Sequence, residues 1–88
     1  MIDVTQLPLM LHVQSRDKVM YDGVINSLSA QNQNGRFDIL PLHSNFVSVI
    51  EGKISFITAE GQTQEMNLNS GVLRVIENRI EIYIGFLE

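Results

Sequence analysis

The side chains that could do chemistry in this chain are few, and their spacing does not assemble a site. The two histidines, His12 and His43, are predicted to lie on different elements, and no His-x-His, His-Glu-x-x-His or Asp-rich loop is present to hold a metal ion. Asp38 precedes His43, but a carboxylate beside a histidine at a turn is more often a local hydrogen bond than a catalytic pair. We therefore expect no metal site and no acid–base pair.

Motifs for nucleophilic catalysis and phosphate binding are also missing. Cys is absent, no serine lies in a Gly-x-Ser-x-Gly elbow, and no Gly-rich phosphate loop occurs. We expect no catalytic residues and no cofactor. A binding or structural role is favoured over an enzymatic one.

Composition indicates one folded domain. The chain has 88 residues, and its 44% hydrophobic content supplies the apolar area that offsets ordering entropy. The net charge is −4 and the six Lys and Arg residues are scattered, so we expect no nucleic-acid partner. No run approaches the roughly 20 apolar residues of a spanning helix, and we expect a soluble, cytoplasmic chain. Residues 1–8 are predicted to be a flexible leader, and residues 9–88 to form the domain.

Hydrophobic periodicity is that of β-strands along most of the chain, and no stretch has helical spacing. Short apolar alternations are separated by turn signals at Asn34-Gly35, Glu51-Gly52, Glu60-Gly61, Ser70-Gly71 and Asn78-Arg79. This pattern predicts an all-β fold, an antiparallel β-sandwich or flattened barrel of about nine or ten short strands.

Several predicted strands are apolar on both faces. In the segment 72–76 one face carries Val72, Arg74 and Ile76, and the other carries Leu73 and Val75. The last strand places Ile80, Ile82, Ile84 and Phe86 on one face, with Tyr83 and Leu87 opposite. A small sandwich has one interior, so the second face is either covered by another chain, exposed as an apolar patch, or covered by barrel curvature and strand ends. The sequence leaves these alternatives open.

The stretch from Asn34 to His43 combines a turn, a strand and a rigid corner. Phe37 and Ile39 are predicted core residues, and Pro41 cannot donate to a ladder, so strand pairing should end there. His43 follows that corner, where it either caps the turn or makes a contact with a partner.

This stretch carries a resemblance to a known family. The segment Gly35-Arg36-Phe37-Asp38-Ile39-Leu40-Pro41-Leu42-His43 resembles the signature Gly-x-φ-Gly-φ-φ-Pro-x-His (φ apolar) of the epsilon subunit of F-type ATP synthases, in its N-terminal β-sandwich domain. The segments 11–15, 19–25 and 68–75 are similar to further strands of that domain, so the resemblance extends from about Leu9 to Leu87.

The resemblance implies a non-catalytic rotor subunit of the central stalk, which links the gamma subunit to the membrane c-ring during proton- or sodium-driven ATP synthesis. Its expected partners are gamma and the c-ring, with membrane contact only through the complex, on the cytoplasmic side of the cell membrane. By resemblance the expected c-ring contacts are Gln33, Asn34, Arg36, Leu42 and His43. The expected gamma contacts are Ser15 and His43.

The sequence departs from the family pattern at Asp38, which replaces a usual Gly and puts the backbone geometry there in question. Ser44-Asn45 stands where Ala-Pro is common, and Ser70 replaces the first Gly of a pair. The chain ends at Glu88, before the helical hairpin with which most relatives continue, so we expect no C-terminal helical hairpin, no inhibitory switch and no ATP site in it.

A second hypothesis is a stand-alone β-sandwich adaptor or ligand-binding module that shares only the fold, because fold alone does not fix function. An isolated domain could also self-associate through the face that gamma would otherwise cover.

Overall fold

The structure, a computed structural model, describes residues 8–85, and within them it contains six β-strands and no helix. The strands are β1 (Leu9–Gln14), β2 (Val19–Asn32), β3 (Gly35–Ile39), β4 (Phe46–Thr58), β5 (Thr63–Ile76) and β6 (Arg79–Ile84). The all-β prediction is confirmed. The predicted leader, apart from Pro8, and the positions of Phe86 and Leu87 lie outside the described residues.

Strand pairing closes a barrel that carries one extra strand. The order β1-β6-β5-β4-β2 returns to β1 through the β1–β2 pairing, and β3 joins only β2. All neighbours are antiparallel except β1 and β6, which run parallel. The expectation of a wholly antiparallel arrangement is therefore wrong at that one pair, because β1 reaches β6 through the rest of the chain and not through a hairpin.

The predicted count of nine or ten short strands is wrong because two predicted turns are bends inside long strands, and because residues 19–32 form the single long strand β2. Gly52 has a φ of 77° and follows a register shift in β4 between Ile50 and Gly52. Gly71 lies within β5, where a Cβ would stand 3.0 Å from the Tyr83 carbonyl oxygen. At both positions a bent strand needs glycine, but the chain does not reverse there.

These bends divide β4 and β5 between the two layers of a sandwich. The first half of β4 pairs with the second half of β5, which continues to β6 and β1. The second half of β4 pairs with the first half of β5 and with β2, which continues to β3. We name these the β6 layer and the β3 layer.

The core lies between the layers and follows from strand alternation. Buried aliphatic residues come from every strand, including Leu11 and Val13 of β1, Ile39 of β3, Leu73 and Val75 of β5, and Ile80 and Ile82 of β6. Phe56 is the largest buried side chain, and its ring lies 4.6 Å from that of Tyr21. Ile39 is fully buried as predicted, whereas Phe37 is half-buried at the margin of the core.

Candidate protein-interaction site

A groove lies beside β3, between that strand and the segment that leads into β4. Its volume is about 310 Å³. The lining residues are Asn32, Asn34, Gly35, Arg36, Phe37, His43, Ser44 and Phe46. Three of the residues expected to contact a partner, Asn34, Arg36 and His43, thus meet at one place. No sequence signal pointed to Phe46, which also lines this groove, with its ring centroid 5.7 Å from that of Phe37.

The rigid corner predicted at Pro41 is a β-turn anchored to a neighbouring turn. The His43 amide donates to the Leu40 carbonyl at 3.1 Å, and Leu42 has a left-handed φ of 67°. The Leu42 amide donates to Asn78 Oδ1 at 2.6 Å. The turn that holds Asn78 is formed by residues 77 and 78, one position earlier than predicted, and the Glu77 amide donates to Asn45 Oδ1 at 3.0 Å. The corner therefore presents an exposed Leu42 from a fixed backbone.

Local contacts orient His43. Its ring centroid lies 5.1 Å from that of Phe46, and its Nδ1 lies 2.8 Å from the Ser44 carbonyl oxygen. Asp38 does not join it: the Asp38 carboxylate accepts a hydrogen bond from Ser29 Oγ at 2.6 Å and lies 3.9 Å from Arg36 Nε. The structure holds His43 half-buried at the groove wall, where it has no acid–base partner within the described chain.

Asp38 occupies its position without backbone strain. It lies in the extended strand β3, outside the left-handed region, and its side chain points to solvent. The backbone question raised by the Gly-to-Asp departure is therefore answered: this position does not need glycine here, because the carboxylate has room and a hydrogen-bond partner in Ser29.

A second groove of about 540 Å³ separates the tip of the β2–β3 hairpin from the first half of β4. Gln33 and Asn34 line it on one side, and Val47 and Val49 line it on the other. Asn32 Nδ2 donates to Ser48 Oγ at 3.1 Å and holds the hairpin against β4. Gln33 therefore lines the second groove and not the first.

Ser15 lies far from these grooves. It caps the turn between β1 and β2, where its Oγ accepts from the Asp17 and Lys18 amides at 3.3 Å. The Met10 amide donates to the Asn78 carbonyl, beside the corner that holds His43. Ser15 lies five positions after Met10 along an extended chain, which places Ser15 about 16 Å from Met10. The structure does not bring Ser15 and His43 together.

The outer faces of the two layers differ in polarity. On the β6 layer Val47 is 65% exposed, and Val49, 57% exposed, stands directly opposite Val72. A charged pair, Arg74 and Glu81, separates these residues from Ile76, which is 41% exposed. Of the second apolar face described from the sequence, Ile76 is exposed, whereas Val72 and Tyr83 are half-buried.

The outer face of the β3 layer carries mostly polar and charged side chains. Ser29, Gln31, Arg36, Lys53, Ser55 and Glu65 line a shallow depression there, and Lys53 Nζ lies 3.1 Å from Glu65 Oε2. Exposed apolar side chains also occur elsewhere, at Ile57 on the β3 layer and at Val19, Met20 and Val24 on the first half of β2. The neighbouring pair Val47 and Val49 is the most exposed apolar part of either layer face, which makes the β6 layer suited to a protein partner.

Within residues 8–85 no cluster of three or more His, Asp or Glu side chains is placed to hold a metal ion. Residues 8–85 include no helical membrane span.

Comparison with known proteins agrees with this architecture. Residues 8–85 match the family model described as the ATP synthase delta/epsilon chain, beta-sandwich domain. The ATP synthase epsilon chain of Clostridium botulinum is 28% identical over 75 residues, which are 84% of this chain and 56% of that one. The epsilon chain of Natranaerobius thermophilus is 30% identical over 74 residues, 82% of this chain and 52% of its own. The chain therefore spans about half the length of these relatives.

Solved structures share the fold. A chain of the Euglena gracilis mitochondrial ATP synthase superposes with a TM-score of 0.81 at 14% identity, covering 88% of this chain and 50% of that one. A chain of the Tetrahymena thermophila mitochondrial ATP synthase, from a structure of its central stalk and c-ring, gives a TM-score of 0.73 at 14% identity, with 91% and 65% covered.

Proposed function

The chain belongs to the beta-sandwich domain family of ATP synthase delta/epsilon chains, and from this membership we propose that it acts in the central stalk of an F-type ATP synthase. In this proposal it is a non-catalytic rotor component that links the gamma subunit to the c-ring. It transmits torque by shape and packing, needs no cofactor, and is held at the cytoplasmic side of the cell membrane by the complex alone.

The proposed c-ring contact is the edge of the sandwich along β3, from the β2–β3 hairpin before that strand to the Pro41 corner after it. The observation that supports this contact is that Asn34, Arg36 and His43 line one groove. The other two expected contact residues directly precede members of this set in the sequence: Gln33 precedes Asn34, and Leu42 precedes His43. Leu42 is 61% exposed on a backbone fixed by Asn78. A rigid, mixed polar and apolar edge suits contact with the polar loops of another protein.

The proposed gamma contact is the outer face of the β6 layer. This face offers a partner apolar surface to remove from water at Val47, Val49 and Val72. The Arg74–Glu81 ion pair beside them would fix the orientation of the bound partner. Ser15 and His43 were expected to contact gamma, and they lie on separate turns, Ser15 between β1 and β2 and His43 after β3. A gamma subunit that reached both would have to contact both turns.

The alternative, a stand-alone adaptor or ligand-binding module, has less support. Both grooves are open, and within the described residues no buried side-chain nitrogen or oxygen lacks a hydrogen-bond partner that a small ligand would supply.

Co-purification with gamma tests the proposal, using paired variants on the two layers. Val49→Lys places a charge in the apolar face and should reduce gamma capture at least about tenfold, because the ammonium would be desolvated without a partner. Ser55→Lys, on the polar layer, is the matched control and should capture gamma as the unmodified chain does. Failure of the unmodified chain to bind gamma would refute the proposed role.

The c-ring contact is tested separately with Arg36→Glu against Lys53→Glu. Both reverse one exposed charge on the β3 layer, but only Arg36 lines the groove at the hairpin end. Because an exposed ion pair contributes about 0–1 kcal/mol, the expected loss of c-ring affinity is modest, up to about fivefold. Equal affinities for the two variants would remove Arg36 from the contact.

A further inference from the structure

The outer edge of β3 is an unpaired strand edge. Five strands close into the barrel, whereas β3 pairs only with β2 among residues 8–85, and its other edge borders the groove that separates it from the segment leading into β4. Asn32 and Gly35 face each other across the two-residue turn, and Ala30 faces Phe37. In such a tight hairpin these facing residues exchange the backbone hydrogen bonds, so Arg36 and Asp38 direct their N–H and C=O groups away from β2.

No other backbone within residues 8–85 satisfies these outward groups, since none of the turn and loop hydrogen bonds of that region involves Arg36 or Asp38. An unpaired edge of this kind pairs readily with a further extended strand. The side chains beside it decide which strand fits.

Those side chains form a self-complementary charge pattern. Arg36 and Asp38 stand on either side of Phe37, and their side chains are 72% and 65% exposed. When two copies of β3 run antiparallel with Phe37 opposite Phe37, Arg36 of each copy lies opposite Asp38 of the other. The same register aligns the outward N–H of each residue with the outward C=O of its counterpart.

We propose that β3 pairs with β3 of a second copy of this chain, forming a symmetric dimer around Phe37. Its contacts are four backbone hydrogen bonds and two Arg36–Asp38 pairs between the copies. An unrelated strand would need an acidic and a basic residue at this spacing, and the chain already carries that complement. A five-residue edge buries little area, so the dimer is weak and forms at high protein concentration.

This self-association differs from one through the apolar face of the β6 layer, because β3 belongs to the other layer. It also uses Arg36, so the dimer and the proposed c-ring contact would exclude each other. The dimer itself does not depend on the proposed function.

Analytical ultracentrifugation of the 88-residue chain, from micromolar to about millimolar concentration, tests the proposal. The unmodified chain should show a monomer–dimer equilibrium. Arg36→Asp alone and Asp38→Arg alone each place like charges opposite each other twice, and each should weaken the dimer at least about tenfold. The double variant Arg36→Asp/Asp38→Arg restores opposite charges and should dimerise again.

Mixing the two single variants adds a sharper outcome. A chain carrying Arg36→Asp is acidic at both positions and a chain carrying Asp38→Arg is basic at both. The mixture should therefore form a heterodimer, whereas neither variant should dimerise well alone.

Val49→Lys, on the other layer, should leave dimerisation unchanged. Circular dichroism verifies that each variant is folded, and concentration-dependent slowing of amide exchange at Arg36 and Asp38 gives a test that needs no variant. A monomer at all concentrations, or a dimer abolished by Val49→Lys and unaffected by the charge reversals, would overturn the proposal.

Discussion

Replacing Leu42 by glycine should stabilise this domain, although it removes a large apolar side chain. Leu42 adopts a left-handed φ of 67°, which costs an L-residue with a Cβ about 1–2 kcal/mol. Its side chain is 61% exposed, so its removal loses little burial, and the backbone hydrogen bond to Asn78 does not depend on the side chain. Glycine also makes the unfolded chain more flexible, and the extra entropy lost on folding offsets about 0.5–1 kcal/mol of the stabilisation.

The expected net effect of Leu42→Gly is a gain of about 0.5–1 kcal/mol in the free energy of unfolding. Leu40→Gly is the matched control. Leu40 is 57% exposed and lies two positions earlier, but its φ is not positive, so glycine there brings only the entropic cost and should destabilise by about 0.5–1 kcal/mol.

Urea titration followed by circular dichroism measures both variants, and an unchanged m-value would confirm that the comparison concerns stability alone. The opposite signs matter more than either magnitude. If both variants lost the same free energy of unfolding, the left-handed backbone of Leu42 would not be a source of strain.

Three further substitutions probe the core, the bend and the groove. Ile82→Ala removes a fully buried side chain and should cost about 2–5 kcal/mol in a denaturant titration; a cost below about 1 kcal/mol would contradict its burial. Gly52→Ala imposes a Cβ at a φ of 77°, placed 2.6 Å from Gln31 Nε2, and should lower stability by about 1–2 kcal/mol, whereas a neutral result would mean that the β4 bend tolerates a side chain. Phe37→Ala should cost less than the loss of a fully buried aromatic, about 1.5–3 kcal/mol, because Phe37 is half-buried against Phe46; a loss of about 5 kcal/mol would place it in the core instead.

Alternation of apolar residues was enough to predict an all-β chain and the division of its strand residues between two faces, because side chains alternate with a two-residue period. The pattern divided Leu73 and Val75 from Val72, Arg74 and Ile76, and the structure buries the first two. The strand count failed at Gly52 and Gly71, since a glycine at a turn and a glycine at a bend give the same local signal. Only the pairing of β4 with β5 on both sides of these residues distinguishes them.

The candidate site divides in the same way. Pro41 is a local signal, and the corner it predicted is present. The groove depends on the approach of Phe46 to Phe37, and the separation of Ser15 from His43 depends on the direction of β1 beside β6. These are long-range relations, which the spacing of residues along the chain does not encode.

An NMR titration of the isotopically labelled chain with purified gamma subunit would show whether gamma docks on the β6 layer. Binding should be saturable, with shift changes concentrated on the outer face of the β6 layer at Val47, Val49 and Val72, and little change at Lys53 and Ser55 on the opposite layer. Absence of binding, or shift changes confined to the polar layer, would contradict the proposal that this sandwich docks gamma through its exposed apolar face.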